Sequence, residues 1–151
     1  MVSNCTIKDN TTTSSGGGIN TSNDKGSLTI VSSTIDNNNS SSSEYKNGGG
    51  GVCFSSGTLT ITSSAITRNK AKINGGGILF LSGSAQISSS TVSGNTTSGD
   101  GGGICDGAYA SSCSMQISSS TVTGNTAGGS GGGIYSYSRD VMENSLPISM
   151  G

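Results

Sequence analysis

The chain is 151 residues long, 29% hydrophobic and 4% aromatic, with 26 glycines, one proline and a formal net charge of −1. That apolar content is too low for an ordinary globular core, while the near-zero net charge sets the chain apart from the charged sequences that stay disordered. The lack of a basic patch excludes nucleic acid as a partner. The lack of histidine excludes Ser-His-Asp and Cys-His catalysis and every imidazole metal site.

Order along the chain comes from three short motifs that recur in one sequence. Val2, Ile7 and Asn10 form the end of a first copy. Gly16-Gly17-Gly18-Ile19 opens the next and is followed by Leu28-Thr29-Ile30 and by Ile35 with Asn38. The glycine motif returns as Gly49-Gly50-Gly51-Val52, with Leu59-Thr60-Ile61, Ile66 and Asn69 behind it. Gly75-Gly76-Gly77-Ile78 leads to Ala85-Gln86-Ile87, Val92 and Asn95, and Gly101-Gly102-Gly103-Ile104 to Met115-Gln116-Ile117, Val122 and Asn125. A fifth triplet ends at Ile134, and Leu146-Pro147-Ile148 matches the second motif once more.

Self-similarity at 26–33 residues marks an architecture in which each unit buries its apolar face only against its neighbours. Period-two alternation in short stretches bounded by Gly, Ser and Asn is the signature of strands. The expected fold is therefore all-β: a right-handed parallel β-helix of about five coils, each of three short strands, with the hand taken from the bias of parallel crossovers. Ile19, Val52, Ile78, Ile104 and Ile134 should stack as one internal ladder. Leu28, Leu59, Ala85 and Met115 make a second, Ile30, Ile61, Ile87 and Ile117 a third, and Ile7, Ile35, Ile66, Val92 and Val122 a fourth. The glycine triplets permit positive φ and close backbone approach at the bend before a strand. Asn38, Asn69, Asn95 and Asn125 are expected to stack inside a turn as an asparagine ladder.

Spacing varies at residues 39–47 and 106–112, which read as loops protruding from the coil, a common place for binding. Residues 1–151 read as one β-helix segment with both ends uncapped, a piece of a longer solenoid, with head-to-tail self-association as the alternative.

Few residues carry candidate chemistry. The glycine runs are not phosphate loops, since no Gly-Lys-Ser/Thr follows them, and no cofactor is expected. Cys105 and Cys113 bracket residues 106–112 and are positioned to close that loop as a disulfide, whereas Cys5 takes the place of a recurrent serine as an inert buried thiol. Asp9, Asp36, Lys8 and Arg68 gather on adjacent coils as an acid/base pair or, in the simpler reading, a solvated turn. Asp106 is expected in water on a bent loop. Leu79, Leu81, Tyr135 and Tyr137 fall on outward positions, a stripe suited to stacking on a sugar, to docking another chain or to being covered by a flanking loop. The longest apolar run, Ile78–Leu81, is far short of the ~20 residues a membrane helix needs, so no membrane insertion by this segment is expected.

The Gly-Gly-Gly-Ile and apolar-x-x-Asn motifs resemble the Gly-Gly-Ala-Ile and Phe-x-x-Asn repeats of the polymorphic outer membrane proteins, within the pectin-lyase-like superfamily of right-handed β-helices. The likeness extends through five coils, with Gly in place of Ala and Ile or Val in place of Phe. The resemblance implies a secreted or cell-surface, outer membrane-associated passenger region, non-enzymatic, that presents loops for adhesion to a host or cell-surface glycan or protein. A remnant of a polysaccharide lyase or hydrolase is the alternative.

Overall fold

The computed structural model describes residues 1–22, 26–44, 47–106 and 113–137. Among these residues there are twenty strands and no helix. They form four five-stranded sheets in which every pairing is parallel and every neighbour lies one coil away in sequence. The second coil shows the unit: Gly26–Val31 in the first sheet, Thr34–Asp36 in the second, Asn39–Ser40 in the third and Val52–Phe54 in the fourth. Five such coils make a parallel β-solenoid. The expected three strands per coil become four, because a two-residue strand follows each asparagine. Two residues are too few to show the alternation that identifies the longer strands.

The ladders hold in register. Val2, Ile30, Ile61, Ile87 and Ile117 are successive partners, as are Ile7, Ile35, Ile66, Val92 and Val122. Ile19, Val52, Ile78, Ile104 and Ile134 do the same in the fourth sheet. These side chains form one continuous core, fully buried in the inner coils and half-buried at Val2, Ile7, Ile19, Ile117 and Ile134. Burial of each aliphatic side chain contributes about 1.5–3 kcal/mol. A further inward column runs Thr21, Phe54, Phe80, Asp106 and Ser136, with the two phenylalanine rings stacked at 5.9 Å.

Three corners turn the chain, and each repeats one backbone device. Asn4, Ser32, Ser63, Ser89 and Ser119 all have φ between 47° and 53° where the first sheet meets the second. Asp9, Asn37, Arg68, Gly94 and Gly124 occupy the same left-handed region at the second corner, and Gly16, Gly49, Gly75, Gly101 and Gly131 at the third. Left-handed φ is costly for most L-residues and single occurrences are tolerated best by Gly, Asn and Asp. Serine and arginine persist here because the ladders on either side fix the bend.

Candidate functional site

Two polar columns line the corners. Behind the first corner, Ser33, Ser64 and Ser90 each receive the backbone N–H of the corresponding residue one coil back at 3.1 Å, and Ser120 receives that of Ser90. Each serine hydroxyl in turn donates to the carbonyl two residues earlier, at 2.7–2.8 Å. The recurrence of serine is visible in the sequence, but its role in satisfying the coil above is not.

The asparagines lie immediately behind the second corner, each one residue after its left-handed residue. The Nδ2 of Asn38 donates to Oδ1 of Asn69, that of Asn69 to Asn95, and that of Asn95 to Asn125, each at 3.0 Å. The same Oδ1 atoms also accept the backbone N–H of the preceding asparagine at 2.9 Å. The second Nδ2 hydrogen goes to a carbonyl one coil back, as Asn69 to Ile35 at 3.0 Å. In Asn38, Asn69 and Asn95 every amide donor and both oxygen lone pairs are used, the condition under which an amide can be wholly buried. The third glycine of each of the first four triplets faces this column: a Cβ on Gly77 would lie 3.0 Å from the Asn95 amide. The two recurring motifs thus pack against each other from the second and third corners.

The outward face of the fourth sheet departs from expectation. Asn20, Cys53, Leu79, Cys105 and Tyr135 share one column. Leu79 is fully buried and forms a second apolar cluster with Cys53 and Cys105, against which Leu81 and Tyr135 pack half-buried. Leu79 is therefore not a contact residue. The cause is the glycine corner, which folds back over the strand it precedes. A Cβ on Gly101 would lie 2.7 Å from the Cys105 Cβ, and one on Gly131 2.8 Å from that of Tyr135. Of the four proposed contact residues, Tyr137 is the exposed one, at 39%. Its ring meets that of Tyr135 edge-on at 4.7 Å, and its hydroxyl donates to Asp100 Oδ2 at 3.3 Å.

The cysteines correct two expectations. All four are thiols, so no disulfide joins Cys105 to Cys113. Cys105 belongs to the outer cluster and Cys113 to the central core, on opposite sides of the wall. Cys5 is exposed, not buried. Burial pushes the Cys53 thiol up to about 11, against a hydrogen bond from Ser15. Burial, with the charges of Asp106 and Asp100, pushes Cys105 up to about 12. Neither is a nucleophile at neutral pH. Asp106 is also buried, at 3%, at the inward end of its strand, where Oδ1 accepts the N–H of Tyr137 at 3.1 Å. The alternation of the strand simply continues into it.

Asp36, Arg68, Lys8 and Asp9 do meet at the second corner. Arg68 grips Asp36 with two nitrogens, Nε lying 2.9 Å from Oδ1, and the Thr67 hydroxyl donates to the same oxygen at 2.7 Å. The Arg68 hydrogen bond holds the Asp36 carboxyl below the usual carboxylate range, with burial opposing and Thr67 adding to the effect. A carboxylate held ionised in this way is a poor general acid, and its basic lone pairs are already engaged. The cluster is a structural ion pair. Among the described residues no group of three or more Cys, Asp or Glu is placed to hold a metal ion, and no helix is long and apolar enough to cross a membrane.

Stacked coils with satisfied polar corners define a β-solenoid repeat protein. The repeat of the Chlamydia polymorphic membrane proteins matches residues 89–106 and 119–137. Each match runs from a left-handed serine, through the asparagine and the glycine triplet, to the fourth-sheet strand. The chain carries repeats of the polymorphic membrane protein type, and repeats and fold together fit a cell-surface repeat region. No curated protein and no solved structure matches the chain.

Proposed function

We propose that this chain is a non-catalytic, surface-exposed solenoid segment of an outer membrane-associated or secreted protein, which binds a glycan or protein on another surface. The repeats support the setting. The observation that carries the binding role is the Tyr135–Tyr137 pair beside Asp100. An aromatic ring held by a neighbouring ring and a carboxylate offers a preorganised contact at small entropic cost, the usual make-up of an interface anchor. The ion-paired state of Asp36 supports a non-catalytic reading over a carbohydrate-cleaving one.

The test is adhesion of the purified chain, immobilised on beads, to cell surfaces and to glycan and protein arrays. Tyr137→Ala should weaken the binding on the order of tenfold, as removal of an aromatic anchor does, without changing the melting temperature. Equal adhesion by Tyr137→Ala, or no adhesion by the parent chain, would count against the proposal.

A further inference from the structure

We infer that the outward face of the third sheet docks an extended acidic peptide segment of another protein, through Lys70 and Lys72. Between Asn47 and Gly99 the chain has no Asp or Glu, and its cations in that stretch, Arg68, Lys70 and Lys72, fall on alternate residues. The whole stretch is described, and the strand Lys70–Ala71 is the middle one of its sheet, paired on both sides. Ala71 is fully buried while the lysines before and after it are exposed, so both ammonium groups stand on the outer face. Arg68 is taken up by Asp36. Among the described residues neither lysine has an ion-pair partner.

The surroundings of the two lysines are neutral. Lys70 lies between Asn39 and Thr96 in register, with Thr11 and Thr126 beyond them. The ladder continues one residue further, since the Lys72 N–H donates to the Ser40 carbonyl at 3.0 Å, and this sets Lys72 between Ser41 and Ser98. Carboxylates on the coils above and below have other partners: Asp36 has Arg68, Glu44 accepts from the Asn47 amide, and Asp100 accepts the Ser130 N–H.

Charge and spacing together select the occupant. Alternate residues of a strand lie about 6.6 Å apart on one side, and an extended peptide presents every second side chain at the same interval. Acidic residues at alternate positions of such a segment therefore meet Lys70 and Lys72 one for one. Asn39, Ser41, Thr96 and Ser98 both give and take hydrogen bonds, as the segment's backbone N–H and C=O groups require. No aromatic ring stands in either column to stack on a sugar or a base. Two ammonium groups are too few for the dense charge of nucleic acid, or for an anionic membrane, which takes clusters of about 4–8.

The experiment is an amide chemical-shift titration of the whole chain with two synthetic peptides of equal composition. One carries Asp at every second position among Ser, the other its Asp residues in one block. The alternating peptide should give saturating shifts centred on Lys70 and Lys72 and on the flanking Asn39, Ser41, Thr96 and Ser98, and its affinity should fall as salt is raised. Lys70→Gln combined with Lys72→Gln should weaken it on the order of tenfold, the effect of losing two exposed ion pairs, at an unchanged melting temperature. Lys8→Gln and Tyr137→Ala should leave it unaltered. Equal affinity for the block peptide, unchanged binding by the double variant, or shifts scattered over the surface would overturn the inference. Tighter binding of heparin or polygalacturonate at the same lysines would overturn it in favour of an acidic polysaccharide. Each of these results is separable from adhesion through Tyr137, which follows a strand of the fourth sheet.

Discussion

At the scale of single residues, polar side chains here serve the coil above or below. Asp36 shows how. It lies beside Lys8 in register, accepts from Thr67 on the next coil and is clasped by Arg68. Because its pKa is depressed in the folded chain, its contribution to stability is fully present above the unfolded value of about 4 and is lost as pH falls through the folded one. Parent chain should therefore lose stability below pH ~4 more steeply than Asp36→Asn, compared by urea midpoints at successive pH values. Parallel curves for the two proteins would show that the ion pair has no net effect. Arg68 is largely exposed, so the effect should be modest and weaken with salt.

At the scale of the strand and corner, the glycine triplet is the most constrained element. A Cβ on Gly76 would lie 2.3 Å from the Gly102 carbonyl oxygen and 2.7 Å from Thr96 backbone atoms. On Gly132, in the last described coil, the nearest atom among the described residues is the Asn125 carbonyl oxygen, 3.2 Å away. Gly76→Ala should cost on the order of 3 kcal/mol or more, and Gly132→Ala about 1 kcal/mol or less, in denaturant unfolding. Similar losses at both positions would contradict the packing described for this corner. The same element shows what the sequence made legible and what it did not. Inward aliphatics and asparagines repeat with the coil, so their stacking could be inferred from spacing. The covered state of Leu79 and Cys105 could not, because it arises from a backbone folding over a strand, and alternation alone reports only which side of the sheet a residue takes. Asp106 and the third-sheet strands were missed for related reasons: a charge at an inward position defies the hydrophobic pattern, and two residues are too short to carry a pattern.

At the scale of the whole molecule, the strand pairings of the described residues join adjacent coils, so opening can be local. The cysteines report on it from different heights: Cys5 in the first coil, Cys53 in the second and Cys105 in the fourth. At pH 8 a thiol reagent should modify Cys5 at once, while Cys53 and Cys105 should react only through opening, at rates that rise with urea. Prompt labelling of Cys53 or Cys105 in native buffer would show that the outer cluster is not closed over as described.

The one-way run of amide bonds from Asn10 to Asn125 has a consequence for lineage. A stretch cut from one asparagine to the next carries an identical donor at one face and an identical acceptor at the other. Copying it or deleting it leaves the splice chemically seamless, whatever the length of the excursion between. Such a chain can grow or shrink by whole turns under genetic recombination without redesigning a single joint.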